Sequence, residues 1–370
     1  MAKSVTAPDL LAATADLVAI PSESHREGAI VDHLEARLRA LPHLEVERVD
    51  LNLVARTQLG RGTRVLLAGH TDTVPANGNA AARVEGDVLW GLGSADMKGG
   101  LAVMLALAEA VPDPAVDVTY VLYAGEEVSA EHNGLRHLVR DRPELLAADV
   151  AILGEPTGGE VEAGCQGTLR IEVTLRGQRA HTARPWMGRN AIHRLGELLR
   201  LVEGFEERRP VIQGCEYREA LQAVLVAGGV AGNVVPDVAT VTLNRRFAPD
   251  RTEAEAAHEV RALLAPVLDD GDDIVVVDSA PAAPPGLDNP VLRSLIDRHR
   301  LAVTAKLGWT DVARFAALGV PACNLGPGDA TLAHTKEEHV ERASLDRAYE
   351  ILHAVLTTPP DATAAPPEPV

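Results

Sequence analysis

The chain has 370 residues, 46% of them hydrophobic, and a formal net charge of −18 at pH 7. That length exceeds what one average core supports, so two domains are expected. The charge disfavours nucleic acid and anionic membrane as partners, and no stretch approaches the roughly 20 apolar residues of a membrane span.

An amphipathic helix is expected over about 8–19, ended before Pro21, and a second over about 26–41. Short strands follow at 46–49, 53–56 and 64–68, the last running into His70. Residues 98–111 (KGGLAVMLALAEAV) are apolar nearly all round, as in a buried helix, and stop at Pro112. Further buried strands fall at 118–123 and 149–153. This alternation predicts a three-layer α/β/α domain, a sheet with helices on both faces. The N-terminal segment lacks a charged stretch followed by a long apolar run, so it does not read as a signal peptide.

From about residue 167 the texture changes. GTLRIEVTLRG alternates like a half-exposed antiparallel strand. A helix over about 190–206, strands at 221–228 and 238–247, a helix over about 252–267 and a strand at 274–279 follow. Their order, βαββαβ, is that of a ferredoxin-like α+β unit, and the Pro-rich stretch SAPAAPPG (279–286) punctuates its end. The α/β texture then returns, with DNPVLRSLIDRHR as helix and PACNLGPG as strand and loop. The expected division is a discontinuous catalytic domain, 1–166 and 284–358, around an inserted domain, 167–283. The Pro/Ala-rich end, 359–370, reads as a disordered tail, and no internal repeat is visible. Cys165, Cys215 and Cys323 are widely spaced with no C-x-x-C pairing, the pattern of reduced thiols in a cytoplasmic protein.

Four motifs carry the chemistry: GHTDTVP (69–75), GLGSADMKGG (91–100), LYAGEE (122–127) and AILGEPT (151–157). His70, Glu126, Glu127 and Glu155 sit at or just past the ends of three separate strands, where open α/β sheets gather their ligands. With Asp96 and the distant His334 they offer two histidines and several carboxylates, a donor set suited to zinc and similar divalent ions. Asp96 has two readings: a cap for the helix that follows, or a carboxylate presenting both oxygens as a bridge between paired cations. Asp72 is either a turn residue or the carboxylate that orients His70 through its other ring nitrogen. Of the adjacent Glu126 and Glu127, one can bind metal while the other serves as general base. In RGQRAHTARPWMGRN, His181 is flanked by Arg179, Arg184 and Arg189, either a solvated basic loop or a site for carboxylates.

Together with the late AHTKEEH (333–339), these motifs resemble the dinuclear zinc amidohydrolases and exopeptidases, the family of aminoacylase and acetylornithine deacetylase. The resemblance spans about 8 to 357 and implies two Zn²⁺ per subunit, with Co²⁺ or Mn²⁺ as substitutes. By its pattern, His70 and Glu155 hold one ion, Glu127 and His334 the other, and Asp96 bridges them. Asp72 steers His70, and Glu126 is the catalytic base and acid. His181 matches the histidine that reaches a partner's active site from the inserted lid, so a homodimer through that domain is implied. The stretches EAGCQGTLR, AGGVAGNVVPD, NRRFAPD and KLGWTDVARFAALGVPACNLGPGD are most similar to the actinobacterial succinyl-diaminopimelate desuccinylase branch. That likeness implies a small substrate with several carboxylates, met by Arg170, Arg184, Asn233, Arg245 and Gly326. An N-acetylornithine deacetylase or related N-acyl-amino-acid hydrolase is the alternative within the family.

Overall fold

A computed structural model of the chain describes residues 8–358. It divides into two compact units. The first takes the described residues through Ala163, Pro285–Thr304 and those from Arg314 on; the second takes Gly164–Pro284 and Ala305–Ala313. The segment Ala305–Ala313 thus falls with the second unit, whereas the sequence reading placed it in the catalytic part. Residues 1–7, the start of the N-terminal segment weighed as a signal peptide, and the tail 359–370 lie outside the described residues.

The first unit is built on a mixed eight-stranded sheet. At its centre the strand Arg64–His70 pairs in parallel with Asp117–Tyr123 on one side and Val150–Leu153 on the other. Val150–Leu153 pairs in parallel with Ala322–Asn324, while Asn52–Arg56 and Glu45–Val49 run antiparallel at one side. The parallel strands are continuous apolar runs because both of their faces are covered, and Val65–Ala68 and Val118–Leu122 are buried almost completely. The helix Gly99–Ala110 is equally apolar and is buried through Ala108. It lies against the helices Leu10–Val18 and Arg342–Thr357. Its glycine start has a packing reason. A Cβ on Gly100 would stand 2.3 Å from the carbonyl oxygen of Gly154, so only glycine lets the helix approach that strand end. The helices Gly134–Asp141 and Arg342–Thr357 add to those expected from sequence.

The second unit is a four-stranded antiparallel sheet in the order Ala220–Gly228, Val238–Phe247, Gly167–Arg176, Asp273–Ala280. The helices Ala191–Glu203 and Glu253–Leu264 complete the βαββαβ order of a ferredoxin-like fold. One sheet face supplies Leu169, Ile171, Val173, Val241, Leu243 and Phe247 to a core shared with Leu195, Leu198 and Val260 of the helices. Thr252 and Glu255 form a capping box that starts the second helix. The alternation buried–half-exposed along Gly167–Arg176 is what one packed and one open face produce.

Candidate metal centre

Parallel neighbours end on the same edge of a sheet, and this gathers the chemistry of the first unit. His70 closes its strand directly opposite Tyr123, and Ala68 stands opposite Leu153. The loops leaving those two neighbours carry Glu126 with Glu127, and Glu155. Asp96 arrives from an irregular turn, Ser94–Lys98, ahead of the buried helix. It is not that helix's N-cap, a position held by Lys98, so the capping alternative for Asp96 falls away.

Ligand atoms of His70, Asp96 and Glu127 all lie within 4.8 Å of one another. The Asp96 carboxylate divides itself between two histidines: Oδ1 is 3.0 Å from Nε2 of His70, and Oδ2 is 3.6 Å from Nε2 of His334. Nε2 of His334 is also 2.9 Å from Oε1 of Glu127. Glu155 is buried beyond the strand Val150–Leu153, and its charge acts on His70. Burial works against a proton on His70, yet the carboxylates of Asp72, Asp96 and Glu155 more than offset it and hold the imidazole well above its usual pKa. Glu127 is pushed up, first by burial and then by the charge of Asp96, with His70 and His334 pulling the other way. Acidic groups pressed together around two imidazoles are the chemistry of a divalent-cation site, and the donor set fits such ions.

Asp72 does more than its spacing suggested. Nδ1 of His70 has its nearer partner in the backbone carbonyl of Asp72 at 3.0 Å, with the carboxylate oxygen at 3.5 Å. The carboxylate itself accepts the N–H groups of Glu126 and Glu127, at 3.0 and 3.1 Å, and the Ser24 hydroxyl at 2.7 Å. Burial opposes its ionisation, but the hydrogen bonds and the neighbouring His70 hold Asp72 far below the usual carboxylate range. One fully buried residue therefore fixes both the His70 ring and the turn bearing the two glutamates.

A family model described as peptidase family M20/M25/M40 matches residues 66–358, which include every residue of this cluster. The chain belongs to that family. Over 351 residues it is 50% identical to a Mycobacterium tuberculosis protein named "Putative succinyl-diaminopimelate desuccinylase DapE", covering 94% of this chain and 98% of that one. It is 47% identical over 355 residues to the succinyl-diaminopimelate desuccinylase of Corynebacterium glutamicum, covering 94% and 96%. Among solved structures, a tripeptidase from Staphylococcus aureus superposes with a TM-score of 0.77 at 22% identity, over 94% of this chain and 97% of that one. A Bacillus subtilis dinuclear metal binding peptidase from the M20 family does so at 0.69 and 14% identity, over 94% and 96%.

The remaining candidates lie apart from the cluster in sequence. Gly326 is in the first unit, where a Cβ would stand 2.3 Å from the Gly154 carbonyl oxygen and 2.6 Å from that of Glu155. Its N–H donates to the Thr157 hydroxyl at 3.2 Å, and the close backbone contacts with Gly154 and Glu155 are what require glycine here. In the second unit His181 is exposed on the short strand Ala180–His181, paired with Val234–Val235 next to the exposed Asn233. The N–H of Ala183 donates to Nδ1 of His181 at 3.0 Å, which leaves Nε2 as the hydrogen-bearing nitrogen of the neutral ring. Arg184 is exposed three residues on, and Arg170 lies on the open sheet face, 3.5 Å from Asp278.

Arg245 is a correction. It is 1% exposed and is held by Glu219 at 2.5 Å and Glu259 at 3.1 Å, with its guanidinium over the Phe205 ring. It shares the packed face of its strand with Leu243 and Phe247, and strand alternation alone could have shown this. Its neighbour Arg246 points to the open face and has no ion-pair partner among the described residues. Replacing Arg245 by alanine removes one partner of buried Glu219, which keeps Arg208 at 2.6 Å, and empties a packed site, so we expect unfolding free energy to fall by about 3 kcal/mol in urea titrations. KM of the folded fraction should stay near wild type.

Sequence reasoning also missed Glu338, which sits inside the quoted motif AHTKEEH but reads there as one more solvated acid. It is 1% exposed, and its carboxyl group is pushed up, chiefly by burial.

Proposed function

We propose that this protein is a dinuclear zinc amide hydrolase that removes succinate from N-succinyl-LL-2,6-diaminopimelate, a step in diaminopimelate and lysine synthesis. The carrying observation is Asp96 turning one oxygen to each of two histidines, as a carboxylate shared by a cation pair must. The names of the actinobacterial relatives, at about half identity over nearly full length, support the substrate.

His70 and Glu155 would hold one ion, Glu127 and His334 the other, and Asp96 both. Bound there, the ions would acidify a water and polarise the amide carbonyl. Glu126 takes the proton of the attacking water and returns it to the departing amine. Asp72 keeps that glutamate's backbone in place by accepting its N–H. The Nε2–H of His181, supplied by a second copy, donates to the oxyanion of the tetrahedral intermediate. Arg170, Arg184 and Asn233 recognise the substrate's carboxylates, with Arg246 in the role first read onto Arg245; guanidinium forks suit such groups.

Dimerisation belongs to the same reading. The strand Ala220–Gly228 is an edge of its sheet and leaves Val224, Leu225 and Val226 exposed by 51%, 67% and 57%. A long apolar edge invites pairing with another strand, and the same strand of a second copy would cover it. Leu225→Asp should therefore sediment as a monomer with unchanged secondary structure; a wild-type monomer at working concentration would defeat the proposal. The three cysteines are free and buried, which suits a reducing cytoplasm, and no described helix is long and apolar enough to cross a membrane.

The deciding assay offers the purified, metal-loaded protein N-succinyl-diaminopimelate and N-acetylornithine side by side. Succinate release at a kcat/KM at least a hundredfold above acetate release is the expected result. Preference for the acetylated substrate would reassign the acyl group.

A further inference from the structure

Glu338 lies four residues beyond His334, and both of its ends are tied. Its Oε1 accepts the N–H groups of Ala95 and Asp96, each at 3.1 Å. Its own N–H donates to the Thr335 carbonyl at 3.4 Å, and its carbonyl accepts the N–H of Gly91 at 3.1 Å. One residue thus grips the turn that delivers Asp96, the glycine ahead of that turn, and the loop that carries His334. The grip is needed on both sides. His334 has a left-handed backbone, φ +62°, which a side-chain-bearing residue keeps only when its surroundings impose it. The Asp96 turn contains non-helical backbone angles at Asp96 and Met97 and cannot rely on helical hydrogen bonds alone.

A carboxylate so deeply buried beside another acid needs a reason to be there. Its hydrogen bonds to the backbone N–H groups are charge-assisted, and deleting it would leave two buried donors without an acceptor. Lys98, buried with Nζ donating to the Ile20 carbonyl at 2.8 Å, supplies positive charge that acts on it.

We propose that Glu338 is a positioning residue for the cation pair. It sets the Asp96 turn and the His334 loop in one frame, so that the two aspartate oxygens meet the two histidines together. Glu338 itself touches neither substrate nor ion. This rests on the dinuclear reading above and adds to it a residue outside the ligand set that decides whether the set is preorganised.

The test measures metal affinity rather than turnover. Metal-free wild type, Glu338→Gln, Glu338→Asp and Glu338→Ala are titrated with Zn²⁺ against a chromogenic chelator, with thermal melts of each apoprotein. Wild type should take two equivalents. Glutamine keeps an oxygen at the same reach and should bind the second equivalent within about threefold of wild type. Aspartate is one methylene short; it and alanine should lose roughly 10–100-fold in affinity for that equivalent. If alanine fails to fold, the aspartate–glutamine contrast still decides. Aspartate binding both equivalents as tightly as wild type overturns the inference alone, as does glutamine losing as much as aspartate. Fewer than two equivalents in wild type overturns the dinuclear reading and the inference with it.

Discussion

Glu126→Gln should lower kcat by about 10²–10⁴-fold while KM, metal content and melting temperature stay close to wild type. The glutamate's backbone is fixed by the Asp72 carboxylate, 3.0 Å from its N–H, and that bond survives the substitution. The side chain is half-buried, so glutamine of equal size fits the same space. What glutamine lacks is a basic oxygen able to take a proton from water and pass it to the amine. A loss confined to kcat is the signature of an interaction made only in the transition state. Residual kcat within tenfold of wild type would remove Glu126 from the role of base.

Chelation should abolish hydrolysis, and restoring Zn²⁺, Co²⁺ or Mn²⁺ should return it. Asp96→Ala should behave as permanently stripped, because His70 and His334 both face this one carboxylate. Its affinity loss should exceed the roughly 10–100-fold typical of residues behind the ligands. Stability offers a second readout. An ion present at a thousand times its Kd adds about 4 kcal/mol to the folded state. Chelator should thus lower the melting temperature of wild type and leave that of Asp96→Ala almost unmoved. Full activity in chelator, confirmed by metal analysis, would end the metal-dependent reading.

The fold was legible where a short pattern determines a whole element. Continuous apolar runs marked the parallel strands around His70, and clean alternation marked Gly167–Arg176 in the second unit. His70, Asp96 and Glu127 were readable as a group because each closes or follows a strand or sits in a glycine-rich turn; His334 has no such local mark and joined them by its donor type and the AHTKEEH resemblance. The face of a strand was harder. Arg245 and Arg246 are adjacent and identical in type, and only the phase set by Leu243 and Phe247 tells which one is buried.

Glu338 was hidden for a different reason. Its value lies in two backbone N–H groups more than 240 residues earlier in the chain, a separation no local pattern records. Asp72 was half-read: proximity to His70 was visible in the spacing, but its grip on the Glu126–Glu127 turn depends on the next strand over. The segment Ala305–Ala313 carried no change of texture that would assign it to the second unit.

The order in which the ligands occur has a consequence for biosynthesis. His334 follows Glu127 by 207 residues, and the whole second unit is translated between them. At about 5–20 residues per second, a nascent chain waits on the order of ten to forty seconds between exposing the first acidic ligands and receiving the last histidine. During that interval the cluster lacks the imidazole that faces Asp96 and Glu127. The cluster is thus completed only near the end of translation, after the second unit has been made.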